Sequence, residues 1–251
     1  LGALLIVLVY VYAEVVHFGL LMEWDDRFYI LTRPEVRDWW SASWRQRLLT
    51  PRIGYPVPVP TFVIAHVRLL FPDSFVGVLH GLNLTVHMGN ALLVFALVRR
   101  WVDDELGLAT AALWALHPLA VEPVAWLSGI KTLMAAGFGL GAMLLWQSVF
   151  DEPEEEQEDA ASRRETAARW GGIVLFVLAV GCRTDALVVA GVLYLQAVRH
   201  GGWRRALRET WPVLLTAGIL AAAFVPGATS GLERVDQRGP WYFEGVAPRL
   251  L

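Results

Sequence analysis

The sequence predicts an all-α, polytopic membrane protein. Three observations carry that prediction. Of the 251 residues, 56% are hydrophobic, and mean hydropathy is +0.47; soluble domains hold roughly 45–50% apolar residues. Apolar runs of about the 20 residues needed for a bilayer-crossing helix recur along the chain. The 12 Trp suit a chain that meets two membrane–water interfaces, where indole rings concentrate. A net charge of −3 leaves no electrostatic footprint for nucleic acid. Cys182 is the one cysteine, which excludes an internal disulfide and a CxxC metal site.

One membrane domain is expected over 1–251, with spans near 1–22, 76–98, 105–124, 129–150, 170–182, 185–199 and 211–226. Residues 1–22 lack a following small-residue cleavage site, so they read as a span rather than a signal peptide. The chain starts inside an apolar run and ends without an evident close, so it reads as part of a longer protein. The stretch 170–199 is too long for one span, and its halves are short. A broken or partly inserted pair meeting at Cys182-Arg183-Thr184-Asp185 is expected there, since irregular backbone is tolerated in a membrane when protein or water covers it.

Between the first two spans lies a long segment, 23–75, with Trp39, Trp40 and Trp44. It is too aromatic for disorder and too long for a plain connector. Its prolines at 55–60 are expected to bar regular helix, and 61–71 reads as a short interfacial helix. The three Trp suit a loop lying on the membrane. The acidic run 151–169 reads as a solvated cytoplasmic loop. Arg99, Arg100, Arg163, Arg164, Arg169, Arg199, Arg204, Arg205 and Arg208 fall on one side if the spans alternate, which makes that side cytoplasmic. Segment 23–75 then faces outward.

The polar groups of the spans agree in depth. Asp25 and Asp26 follow the first span; His80, Asn83, His87 and Asn90 start in the outer half of the second. His117, Glu122 and Lys131 mark the next outer turn, where Glu122 is placed to pair with Lys131 or His117; Arg183 and Asp185 mark the one after. Ionisable groups in membrane segments are costly and therefore functional candidates. The four polar residues from His80 to Asn90 occupy an arc of about 80° on a helix. They must face protein, water or a polar ligand, and interhelical hydrogen bonding is the plain alternative to a site role.

Several stretches together carry a resemblance: EWDDRFYILTRPEVRDWW (23–40), HGLNLTVHMGNALLVFALVRR (80–100), ALHPLAVEPVAWLSGIKTLMAA (115–136), GCRTDALVV (181–189) and WYFEGVAPRLL (241–251). In order and over almost the whole chain, they resemble the N-terminal half of GT-C fold glycosyltransferases that use polyprenyl-phosphate sugars. The nearest likeness is to the tetratricopeptide-repeat-linked protein O-mannosyltransferase-like family. The resemblance implies a membrane enzyme that moves a sugar, mannose or another hexose, from a polyprenyl-phosphate donor to a hydroxyl of a protein or glycan. The reaction would lie outside the cytoplasm, with a bacterial inner membrane and a periplasm-facing site expected. It implies Asp25 and Asp26 as the acidic pair, one being the catalytic base. Where relatives carry Arg after Ser-Gly, this chain has Ile130 and Lys131; where they often carry Ser-Lys, it has Cys182 and Arg183. A cation is kept in both places. The repeats of many relatives are absent from this sequence.

The chemistry agrees with the residue types. A carboxylate can deprotonate an acceptor hydroxyl, with Asp25 favoured as base. Lys131 and Arg183 suit the charge that develops on a leaving lipid phosphate. His80, Asn83, His117 and Glu122 are expected to line the site. No cofactor and no metal set are indicated, although the second acid of the pair could position a divalent metal, the acceptor or the loop. Without a Gly-rich phosphate loop, a nucleotide-sugar donor is not expected. Two other classes remain at this stage: a secondary transporter, whose polar sites should lie near the bilayer midplane, and a non-catalytic membrane scaffold.

Overall fold

The computed structural model describes residues 1–22, 26–31, 33–50, 55–149 and 158–237. Asp25 lies outside them, as does 238–251. Among the described residues there are helices and no β-strand. Among the described residues, four helices are long and apolar enough to cross a membrane: Phe75–Arg99, Leu127–Gln147, Arg163–Cys182 and Thr184–Val225. At 1.5 Å per residue, even the 20-residue one covers about the 30 Å of a hydrocarbon core.

Helix α1, Gly2–Tyr12, continues as a 3-10 turn, Ala13–His17. The expected span 1–22 therefore ends early, at His17, where Phe18 turns extended. Leu4, Leu8 and Tyr12 pack into a core with Leu84, Ala91, Ala111 and Leu133. The Tyr12 hydroxyl donates to the Ala115 carbonyl at 3.1 Å.

The segment after α1 is built of short pieces: a π-helical turn Arg27–Leu31, then α2, Pro34–Arg37, and α3, Trp44–Leu48. Ser43 and Gln46 form a capping box at the start of α3; each satisfies a backbone N–H that the first helical turn leaves unpaired. Helix α4, Pro58–Leu70, begins inside the proline run that was expected to bar helix. The correction has a simple cause. Pro58 occupies the first helical position, where the missing N–H costs nothing and the ring presets φ. Ile64 and Ala65 are buried on its inner face.

Helix α5, Phe75–Arg99, is the expected second span. The span expected over 105–124 is bent: helix α6, Asp104–Ala115, is followed by helix α7, Val121–Ala125, and the two stretches together are long and apolar enough for one broken span. They bend by 58°. Pro118 disfavours helical backbone at the residue before it, and His117 is extended at φ −64°, ψ 138°. The His117 ring nitrogen Nδ1 accepts the Leu119 N–H at 3.2 Å.

Helix α8, Ile130–Gln147, runs against α9, Glu158–Cys182. Glycines bring the two backbones close. A Cβ on Gly141 would meet Leu175 Cδ1 at 3.1 Å, and one on Gly171 would meet Leu145 Cδ1 at 3.0 Å, an antiparallel register of small residues of the kind that lets membrane helices approach. Helix α9 corrects two expectations. It starts within the acidic run 151–169, and it supplies a full span, Arg163–Cys182, instead of a short half. Alanine-rich sequence favours helix there, and Arg169 bonds Glu165 one turn back at 2.6 Å. After a 3-10 turn, Thr184–Leu187, comes α10, Val188–Gln237, broken at Gly202. Gly202 has φ 75° and ψ 167°, backbone that a side chain would oppose. The break separates the stretches expected as spans 185–199 and 211–226.

Arg99, Arg100 and Arg169 lie at one end of the bundle. Arg99 pairs with Asp104 at 3.1 Å, Arg100 donates to the Leu144 carbonyl at 3.3 Å, and Arg169 donates to the Glu209 carbonyl at 3.4 Å. The other end carries the starts of α5, α8 and α10 and the end of α9.

Candidate functional site

Asp26 is fully buried immediately before the π-helical turn. One carboxylate oxygen accepts the Ser128 N–H at 3.0 Å and the Ser128 hydroxyl at 2.5 Å. The other accepts the Leu21 N–H at 3.0 Å. A buried carboxylate is tolerable only with such donors, and charged bonds of this kind are the strong ones. Ser128 sits in a 3-10 turn, Leu127–Gly129, that leads into α8. Its geometry needs Gly129: a Cβ there would fall on the Pro123 carbonyl oxygen and lie 2.7 Å from Pro123 Cα.

Lys131 is in the first turn of α8 and is 5% exposed. Its ammonium lies over the Trp126 ring at 5.0 Å and over the Tyr29 ring at 5.8 Å, two aromatic faces that favour a desolvated cation. The next residue, Thr132, accepts from Arg183 Nη1 at 2.9 Å. The Arg183 fork is otherwise turned to Asp185, with Nε at 3.0 Å and Nη2 at 2.7 Å. These bonds raise the guanidinium pKa further and hold it charged. Asp26 and Arg183 are thus both tied to the start of α8, one through Ser128 and the other through Thr132.

A cleft of about 790 Å³ opens beside this cluster, lined by the segment 17–21 and by Val121, Glu122, Ala125 and Trp126. It touches the cluster twice: Leu21 donates to Asp26, and Trp126 lies under Lys131. Glu122 is exposed on the wall of the cleft; among the described residues no ion pair joins it to Lys131 or His117. His117 is exposed and engaged in its own turn. His80 is fully buried, with its ring edge-on to Phe18 at 6.3 Å.

The rest of the α5 stripe is structural in its contacts. Asn83 Nδ2 donates to the Trp126 carbonyl at 2.9 Å. The His87 Nε2 lies 2.9 Å from the Ala115 carbonyl, and Asn90 Nδ2 donates to the Leu133 carbonyl at 2.9 Å. These side chains serve carbonyls around the α6–α7 break and in α8. Among the described residues no group of three or more His, Cys, Asp or Glu is arranged to hold a metal ion.

Sequence reasoning left Ser128 and Thr132 without roles, although both lie in a stretch that carries the resemblance. A hydroxyl on either side of Gly129-Ile130-Lys131, at the mouth of an apolar run, was the available signal. Glu35, buried in α2, went unremarked among its charged neighbours. Comparison with protein-family models, with curated proteins and with solved structures returned no match.

Proposed function

We propose that this chain is the N-terminal membrane half of a GT-C type glycosyltransferase. It takes a hexose from a polyprenyl phosphate and transfers it to a protein or glycan hydroxyl on the extracytoplasmic side, in a bacterial inner membrane with the site facing the periplasm. The observation that carries this reading is the tethering of a buried acid, Asp26, and a phosphate-matching cation, Arg183, to the entrance of α8, the acid through Ser128 in the turn that leads into it and the cation through Thr132 in its first turn, with Lys131 between these two in sequence and a largely apolar cleft alongside.

In this mechanism Asp25 takes the proton of the acceptor hydroxyl. The hydroxyl oxygen attacks the anomeric carbon, and the bond from that carbon to the phosphate oxygen breaks. The electron pair leaves with the lipid phosphate, whose growing charge Lys131 and Arg183 offset. Asp26, its carboxylate occupied by three donors, holds the acidic segment in place. The polyprenyl chain needs apolar contact, and the cleft walls from Phe18, Leu20, Leu21 and Val121 supply it. Glu122 stands on the cleft wall near the entry of the head group, and buried His80 supports Phe18 on that wall. The donor, the acceptor and membrane lipid are the partners; no nucleic acid and no cofactor enter. The transporter reading is weaker, because Asn83, His87 and Asn90 spend their donors on backbone carbonyls instead of lining a polar path. A non-catalytic scaffold would have no need of the buried acid and cation beside a cleft.

The test is transfer by the membrane-reconstituted protein from a polyprenyl-phosphate hexose to a pool of Ser/Thr peptides, with Asp25→Asn and Asp26→Asn alongside. Transfer lost at least 100-fold in Asp25→Asn, within the range for general-base removal, supports the reading. Transfer absent in the parent protein, or untouched in both variants, overturns it.

A further inference from the structure

We infer that the segment from Arg33 to Leu49, seated on α4, is an interfacial anchor that binds anionic phospholipid at the cleft-bearing end of the bundle. Helix α4 lies across that end. Its first turn packs on the end of α9, where a Cβ on Gly181 would meet Val59 Cγ2 at 2.8 Å. Its last residue, Leu70, is five positions before the membrane helix that begins at Phe75. The outward face of α4 carries the segment: Trp39 meets Phe62 edge-on at 5.4 Å, and Trp40 meets His66 at 5.8 Å.

This packing leaves Trp40 65% and Trp44 60% exposed, and Leu69 and Leu70 66% and 68% exposed. Large apolar side chains this near the start of a span lie at the level of the membrane surface. Guanidinium groups accompany the indoles. Arg45 lies over Trp44 at 5.3 Å, and Arg47 lies over both Trp39 and Trp40 at 5.7 Å. The Arg47 side chain also donates to the Trp40 carbonyl at 2.6 Å, which fixes its place between the rings. The segment holds four arginines against two acids, Glu35 and Asp38. Glu35 is buried, and Asp38 is turned to the Trp40 and Ser41 N–H groups. The surface is therefore cationic and aromatic at once. Indole rings partition to the headgroup boundary, and guanidinium forks match lipid phosphates. An acceptor peptide or glycan would use the cations and rings but would leave Leu69 and Leu70 uncovered; a lipid surface covers both.

The experiment reconstitutes the whole protein in vesicles holding brominated phosphatidylglycerol or brominated phosphatidylcholine, and reads quenching of tryptophan fluorescence. The parent is expected to be quenched more by the anionic lipid. In Trp40→Phe/Trp44→Phe that difference disappears. Arg45→Gln leaves the packing of Arg47 intact and weakens the preference about five-fold, the effect of one cation at an anionic surface; Arg45→Gln/Arg47→Gln weakens it further. Equal quenching of the parent by both lipids overturns the inference. So does a preference that survives all three variants, or protection of these indoles by soluble oligosaccharide or peptide but not by lipid.

Discussion

Asp26 accepts both the backbone N–H and the hydroxyl of Ser128, a residue 102 positions further along the chain. That pairing ties the segment after α1 to the entrance of α8. Asp26 is enclosed there, and both of its oxygens already accept hydrogen bonds.

Removing either side of this pair leaves a buried polar group short of a partner. Ser128→Ala is expected to destabilise the protein by about 1.5–3 kcal/mol, the range for a bond to a charged group. Asp26→Ala is expected to cost at least as much, and the double variant less than the two added together. Thermal unfolding in detergent measures all three. Additive losses would mean that the two residues do not act as a pair.

Gly129 allows the chain to pass against Pro123. Gly129→Ala drives a methyl group into the Pro123 backbone and is expected to lower stability by about 2 kcal/mol or more, as overpacking does. Gly218→Ala is the control, since a Cβ there meets nothing within 4 Å. It is expected to be neutral or slightly stabilising, by up to about 1 kcal/mol for helix propensity. Unfolding midpoints of the two variants side by side check the contrast.

Asp185 fills the guanidinium fork that the proposed mechanism gives to phosphate. Asp185→Asn is expected to raise affinity for polyprenyl phosphate, because it removes a competing charge from Arg183. Arg183→Gln is expected to lower it about 10-fold or more, the loss of a charged hydrogen-bond partner. Arg183→Lys should restore it only in part, since an ammonium lacks the fork. Direct binding of the unglycosylated lipid phosphate reads this without sugar transfer.

Asp38 anchors the turn that presents Trp39 and Trp40. Hydrogen bonds from Ser41 hold its carboxyl below the ordinary aspartate value of 3.8, with the Trp40 N–H and Arg47 adding to the effect. A depressed folded-state pKa contributes order that is present above the unfolded value. That contribution fades as pH falls below about 3.8 and is gone below the depressed pKa. Tryptophan emission is expected to report a loosened turn on acidification in that window. Asp38→Asn is expected to keep the turn but lose the pH dependence, because an amide oxygen still accepts the two N–H groups.

Much of the helical plan is legible in the sequence, because hydropathy and helical period are local properties. The runs at 76–98 and 129–150 each become one membrane-length helix. The stripe from His80 to Asn90 is buried as one face of α5. Local chemistry also sets three departures from the hydropathy pattern: Pro58 opens a helix at its permitted first position, Pro118 breaks one, and the alanines after Glu158 extend one into an acidic run. The tertiary structure alone decided which atoms meet. The partners of Asp26, Asn83, His87, Asn90 and Arg183 lie 102, 43, 28, 43 and 51 residues away, and no local period encodes such a choice. A polar side chain inside an apolar helix announces only that it must find a partner. Whether that partner is a backbone carbonyl, as for Asn90, or the start of another helix beside a cleft, as for Asp26, depends on how the helices pack.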